Sequence, residues 1–182
     1  MMDPTDEELV RNCLAGQTEA YSELVRRYES RVLNFAHRAL NDRALAEDLS
    51  QEVFVRAYRS LGRFRQDRKF RPWLMAIAAN RIRDHLKSRG RRQEVTWDLS
   101  QTEKSRESDP LDRAAARQLL NRLETRIQAL PEETQEILRL RFKLGLDYDE
   151  VAETMGLALG TVKSRISRTR VLLRKSLSEV ME

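Results

Sequence analysis

An all-α protein of two small helical domains joined by a flexible linker, the second containing a helix-turn-helix, is the architecture this sequence predicts. Three observations carry it. Aromatic residues make up only 6% of a chain that is 40% apolar, with six Gly and four Pro, and strands would call for more aromatic and β-branched runs between frequent turn signals. Apolar residues recur at helical spacing on both sides of a central stretch that has no period. Near the end, a helix-length segment follows a glycine turn and holds cations without one acid. At 182 residues the chain suits one ordinary domain or two small ones, and the central stretch decides for two.

Thr5 with Glu8 is a capping box that starts a first helix, which runs to about Leu14 and stops at Ala15-Gly16. A second spans about Thr18 to Leu40, where Tyr21, Leu24, Val25, Tyr28, Val32, Phe35 and Ala36 form a buried stripe. Asn41-Asp42 breaks and recaps the chain, and Leu45, Leu49, Val53, Phe54, Ala57, Tyr58 and Leu61 mark a third. The segment "LGRFRQDRKFR" is a cationic loop, and Pro72 suits the first turn of a fourth helix that runs to about Arg89, because its missing N–H would be unpaired there anyway. These four bury one shared core in a domain over 1–92. Residues 93–112 gather Ser, Gln, Thr, Asp and Glu without periodicity, the composition of a linker, with Trp97 and Leu99 as its one apolar spot. The second domain covers 113–182: helical period resumes between Leu111 and Leu130, Pro131 opens another helix containing Ile137, Leu138, Leu140 and Phe142, and a helix pair follows from Tyr148.

The charges are unevenly spread. The totals, 34 Lys+Arg against 29 Asp+Glu, give a net charge of only +5. From Leu61 to Arg92 there are eleven Lys/Arg and two acids, net +9, while Gln93 to Asp112 has six acids and two bases, net −4. Gly160 to Lys175 adds six cations and no acid. Two basic islands separated by an acidic bridge point to two contacts with one polyanion.

The second island has the layout of a helix-turn-helix. Asp147 caps a short helix with Glu150 three residues on, Val151, Ala152 and Met155 face inward, and Gly156 takes the left-handed conformation that ends it. After about three residues a cationic helix begins, held inward by Val162, Ile166 and Leu173. Thr161, Lys163, Ser164, Arg165 and Arg168 are left for DNA. Arginine pairs bidentately with guanine O6 and N7, while lysine and serine take phosphates. A merely solvated amphipathic helix would interleave acids for i,i+4 pairing, and this one has none.

In the first island, a helical wheel from Trp73 puts Leu74, Ile77, Ala78 and Ile82 on one side and Ala76, Asn80, Arg83 and Lys87 on a narrower polar face. Asparagine offers a donor and an acceptor to a base edge, and the cations take phosphates. Upstream, Phe64 and Phe70 lie among Arg63, Arg65, Arg68, Lys69 and Arg71. Aromatics among cations suit single-stranded nucleic acid, whose bases stack on rings. Phe70 and Trp73 read better as core; Phe64 is open between core and stacking.

Some classes are excluded or disfavoured. No apolar run approaches the ~18 residues that span a bilayer, and "MMDPTDEELV" is acidic where a signal peptide is basic and then apolar, so a cytoplasmic protein is expected. Cys13 stands alone as a small buried hydrophobe, and His37 and His85 are too scattered for a metal site. No cofactor, metal or catalytic residue is expected. Asp48 and Glu52 are the only tempting carboxylate pair for a DNA-cutting enzyme, and they lack a third ligand.

With both islands in this order, the chain resembles a bacterial RNA polymerase sigma factor of the sigma-70 family, extracytoplasmic-function (ECF) group. "YSELVRRYESRVLNFAHRAL", "AEDLSQEVFVRAYRSLGRF" and "FRPWLMAIAANRIRDHLKSRGRR" resemble sigma region 2, and "LPEETQEILRLRFKLGLDYDEVAETMGLALGTVKSRISRTRVLLRK" resembles region 4. The resemblance implies that Asp48, Gln51 and Glu52 dock on the β′ clamp helices of core RNA polymerase. It implies that Phe64, Arg65, Lys69, Asn80, Arg83 and Lys87 capture a melted minus-10 element, and that the helix bearing Lys163, Ser164, Arg165 and Arg168 reads duplex minus-35 DNA. The linker would thread toward the polymerase active-site channel, and an anti-sigma factor would hold the chain inactive. Ala158 departs from the Ser or Pro often found there, so the recognition helix lacks its usual cap. Two contacts ~85 Å apart along ~25 base steps are within reach of ~70 Å of extended linker plus domains ~26 Å wide. The alternative is a helix-turn-helix regulator that binds duplex DNA without polymerase, which would need a two-fold dimer and leaves the cationic loop unexplained.

Overall fold

The computed structural model describes residues 3–88 and 110–178, so most of the expected linker, including Trp97 and Leu99, lies outside the described residues. The helices are α1 (Asp6–Leu14), α2 (Glu19–Leu40), α3 (Arg43–Ser60), α4 (Phe70–Ser88), α5 (Pro110–Gln128), α6 (Glu132–Leu138), α7 (Tyr148–Met155) and α8 (Leu159–Ser178). There is no strand among the described residues, and no described helix is long and apolar enough to cross a membrane.

Local chemistry fixes the boundaries. Thr5 Oγ1 accepts from the Glu8 N–H at 3.2 Å, and the Glu8 carboxylate accepts from the Thr5 N–H at 2.7 Å, which satisfies two otherwise unpaired donors at the start of α1. These bonds hold the Glu8 carboxyl below its ordinary pKa. Asn41 closes α2 in the left-handed region at φ 52, and Asp42 caps α3 by accepting from the Leu45 N–H at 3.1 Å. α4 starts at Phe70, two residues before Pro72, which still leaves the proline within the first turn where no N–H is missed. After α6 the chain widens into one π-turn over Arg139–Lys143, closed by the Leu144 N–H to the Arg139 carbonyl.

Helices α1 to α4 enclose Leu9, Leu24, Phe35, Leu49, Phe70, Leu74 and Ile82, all nearly fully buried. Burying each such side chain contributes roughly 1.5–3 kcal/mol. In the second unit Ile137, Leu140, Leu146, Val151, Val162 and Ile166 do the same. The two cores form one continuous apolar cluster. α4 packs against α7 as extensively as α2 packs against α3. Pro72, Ala76 and Ala79 lie on one face of α4 at i, i+4 and i+7 and are buried; such small residues let a neighbouring helix come close. In this conformation, therefore, the first helix of the helix-turn-helix sits on the fourth helix of the N-terminal unit.

Candidate nucleic-acid interface

The cationic loop between α3 and α4 is built on an aromatic floor. A short 3-10 turn over Leu61–Arg63 turns the Phe64 ring inward, to 5.9 Å from Phe70 and 5.2 Å from Trp73 between centroids. Phe70 also meets Tyr28 at 5.7 Å. Phe64 is only 6% exposed, so in this structure its ring supports the loop and presents no face to a base. Of the two readings the sequence left open, the geometry shows the core one. The reason is spacing: Leu61 and Phe64 are three residues apart, which brings both under the same turn.

Above this floor Arg65 and Lys69 are exposed. Arg65 forms a fork with Asp67 at 2.7 and 3.1 Å, which lowers the Asp67 pKa through the hydrogen bond first. On α4, Asn80 is exposed and accepts from Arg83 Nη1 at 2.8 Å, so amide and guanidinium form one polar unit. Lys87 is exposed one turn further on. An open cleft of about 530 Å³ lies beside the loop, lined by residues that include Gln66, Lys69, Tyr28 and Phe70.

Helix α7 begins with the expected capping box. The Asp147 side chain accepts from the Glu150 N–H at 3.0 Å, and Glu150 accepts from the Asp147 N–H at 2.8 Å. Gly156 ends the helix in the left-handed region at φ 65. After Leu157 and Ala158, the amides of Thr161 and Val162 bond back to the Ala158 carbonyl, so α8 begins as expected although Ala158 has no side-chain cap to give. Val162, Ile166 and also Thr169 are buried, while Lys163 and Arg168 are exposed and Thr161, Ser164 and Arg165 are half-exposed. The Ser164 hydroxyl donates to the Thr161 carbonyl at 3.0 Å, and Arg165 is ion-paired with Glu133 of α6. The five candidates thus share the outward side of one helix.

The α3 acids lie on a different helix from either set of DNA candidates. Asp48, Gln51 and Glu52 are exposed, and Arg81 of α4 reaches Glu52 at 2.5 Å. That hydrogen bond lowers the Glu52 pKa and relieves the i,i+4 repulsion with Asp48 from within the chain. Among the described residues, no three His, Cys, Asp or Glu gather as a metal site.

One set of contacts was not read from the sequence. Arg31 of α2 grips the fully buried Glu150 through three hydrogen bonds of 3.0, 2.7 and 2.7 Å, which raise the arginine pKa. Arg71 pairs with Asp147 and lies 3.6 Å from Glu150. Arg68 reaches Glu153 at 2.5 Å and Arg83 reaches Glu136 at 3.4 Å. Burial acts to raise the Glu136 carboxyl, but the hydrogen bond and charge of Arg139, then Arg83, outweigh it and hold the pKa below the ordinary value. The only sequence signal for these pairs was that α7 and its flank are acid-rich where the α3–α4 loop is cation-rich.

Two helical units, one with a cationic loop over an aromatic floor and one with a helix-turn-helix, define a bipartite nucleic-acid-binding protein. Residues 24–92 match the family Sigma-70 region 2, and residues 120–173 match Sigma-70, region 4. The chain is 35% identical to the RNA polymerase sigma-H factor of Pseudomonas aeruginosa, over 97% of this chain and 95% of that protein. It is 33% identical to the ECF RNA polymerase sigma-E factor of Escherichia coli K12, over 91% of each. Among solved structures it is similar to CnrH in complex with the cytosolic domain of CnrY, with a TM-score of 0.56 at 27% identity over 96% of this chain and 97% of that one. The chain belongs to the sigma-70 family of RNA polymerase sigma factors, in its extracytoplasmic-function group. That family is not a known enzyme class, and a match to both regions in order does not favour a free-standing helix-turn-helix regulator.

Proposed function

We infer that this chain joins core RNA polymerase in the cytoplasm and directs promoter-specific initiation by holding duplex minus-35 DNA on α8 and single-stranded minus-10 DNA on the α3–α4 loop and α4. The observation that carries this reading is the pairing of two exposed basic surfaces of different kinds on one chain. α8 offers a straight cationic ridge, from Thr161 through Lys163 and Ser164 to Arg168, that suits a major groove. Glu133 of α6 pairs with the Arg165 guanidinium through Nη1, which restrains it, and a pre-ordered fork is what bidentate pairing to guanine needs.

The loop and α4 suit parted strands. Lys69, Arg65 and Lys87 neutralise phosphates, and the Asn80–Arg83 unit gives donors and an acceptor to an unpaired base edge. The cleft beside the loop, with Gln66 on its wall and Phe70 beneath, takes an extruded base. Unstacking costs a few kcal/mol per base, which these contacts offset when the base is captured. Phe64 serves by fixing the loop. The exposed α3 face with Asp48, Gln51 and Glu52 docks on a basic partner, the β′ clamp helices, where complementary charge speeds and orients association. An anti-sigma factor is the expected regulator. The reading is tested by mixing the purified chain with core polymerase and a promoter library, then sequencing transcript 5′ ends. Starts clustered downstream of a shared pair of elements support it, and an absence of directed starts overturns it.

A further inference from the structure

We propose that Glu7 of α1 is a positioning residue for the single-strand surface: its carboxylate caps α4 from 63 positions away and fixes where the cationic loop ends and the helix begins. The proposal rests on the reading of that loop and α4 as the minus-10 surface, and names an element that sets its shape. A helix start has amides without intrahelical partners and carries the positive end of the helix dipole. Lys69, the residue before α4, has no side-chain acceptor and adds a cation at that end, where Ser, Thr, Asp or Asn would serve. Arg68 and Arg71 put two more cations beside it, and the first turn of α4 holds no acid. Pro72 removes one donor, but Phe70 keeps its own. The acceptor comes from α1: Glu7 Oε1 accepts from the Phe70 N–H at 3.4 Å. At that length the hydrogen bond is weak, so the charge of the carboxylate at the helix end carries the larger share.

α1 is held firmly enough to do this. Its Leu9 and Val10 are nearly fully buried, the Thr5–Glu8 capping box closes its first turn, and it packs against the Leu61–Arg63 turn that opens the loop. Asp6, beside Glu7, accepts from Arg27 Nη1 at 3.0 Å and from the Tyr28 hydroxyl. The Tyr28 ring in turn meets Phe70 at 5.7 Å. Both ends of the loop and its aromatic floor are therefore tied to α1. Asp6 and Glu7 also line the cleft that holds Gln66 and Lys69. A carboxylate there repels a strand of phosphates, so the two possible roles of Glu7 have opposite signs. As a bare charge it weakens strand binding, and as a cap it strengthens it.

The test places wild type and Glu7→Ala, each in complex with core polymerase, on two templates. One is a promoter fork whose minus-10 segment is single-stranded, and the other is a paired fragment with only the minus-35 element. Amide hydrogen exchange of the full free chain, read by NMR, reports the cap itself. In Glu7→Ala the Phe70 amide should exchange about fivefold faster, inside the roughly two- to thirtyfold that an N-cap contributes. Amides of Leu24 and Leu49, in the same core, should hold within about twofold. Fork affinity should fall about threefold, while affinity for the minus-35 fragment should hold within about twofold.

Lys69→Asn offers α4 a cap from its own chain. In the Glu7→Ala background it should return Phe70 exchange to near the wild-type rate, and alone it should change that rate little, because the two caps are alternatives. It also removes a phosphate contact, so the salt slope of fork binding should fall by ~0.7 in the double variant. Tighter fork binding by Glu7→Ala would show that the carboxylate only repels the strand, and overturns the proposal. Unchanged Phe70 exchange, or faster exchange at Leu24 and Leu49 as well, overturns a local cap. A wild type that holds the fork no better than the same template fully paired overturns the minus-10 reading, and the proposal with it, before any variant is made. A wild type that prefers the fork, matched in affinity by Glu7→Ala, overturns the positioning role alone.

Discussion

Phe64→Ala separates a ring that builds the loop from a ring that stacks on DNA. The side chain is 6% exposed and meets Phe70 and Trp73 edge-on at 5.9 and 5.2 Å. Truncating a core phenylalanine costs about 3–5 kcal/mol. Because Phe64 lies at the edge of the core, under a single 3-10 turn, the lower end applies, about 3 kcal/mol. At a urea slope of about 2 kcal/mol/M the unfolding midpoint of the N-terminal unit falls by about 1.5 M, read by far-UV circular dichroism of the full chain. Phe64→Leu keeps most of the apolar volume and should cost less than about 1.5 kcal/mol while leaving single-strand affinity near that of the wild type. A Phe64→Ala midpoint within about 0.3 M of the wild type, or a stable Phe64→Leu that loses strand binding, would show that the ring faces a base and that the core assignment is wrong.

Replacing Lys163 and Arg165 together with Ala should weaken duplex binding and flatten its salt dependence by about 0.9 per lost phosphate contact; the arginine should also carry roughly 1–3 kcal/mol of base discrimination. Promoter-specific transcription that survives the pair unchanged refutes the assignment to α8. Asp48→Lys should weaken association with core polymerase in a pull-down while leaving duplex affinity of the isolated chain unchanged; retained polymerase binding would remove α3 from that interface. Gly156→Ala places a side chain at φ 65 with nothing within 4 Å of it, so only backbone strain of about 1–2 kcal/mol is expected, seen as a lower melting temperature, and a larger loss would mean that the turn is packed. The Glu136 carboxyl is held below its ordinary value of 4.5, so its stabilisation is complete above that pH and fades as the pH falls through the lower folded value. Acid unfolding of Glu136→Gln should therefore show a shallower slope below about pH 4.5 than the wild type, and identical slopes would contradict the depressed value.

Helix order, both capping boxes and the glycine turn of the helix-turn-helix were legible because they depend on residues three or four apart, as in Thr5 with Glu8 or Asp147 with Glu150. So was the inward face of α8 at Val162 and Ile166. Thr169 was missed although it continues that spacing, because a threonine reads as polar until its helix neighbours are known. The α4–α7 contact could not be read at all. Pro72, Ala76 and Ala79 are small residues that fit a solvent face or a tight packing face equally well, and Arg31 and Glu150 are 119 positions apart with no periodic signal linking them. The same limit applies to Glu52, whose partner Arg81 lies on another helix, 29 positions away.

The central claim is that one chain grips a promoter at two places, on paired strands and on parted strands, while polymerase holds it. Footprinting of the complex of this chain, core polymerase and a promoter recovered from the library tests this directly. Protection of duplex near minus 35 together with permanganate-reactive, unpaired thymines near minus 10 is the predicted result, and protection at one site without strand opening at the other would contradict the account.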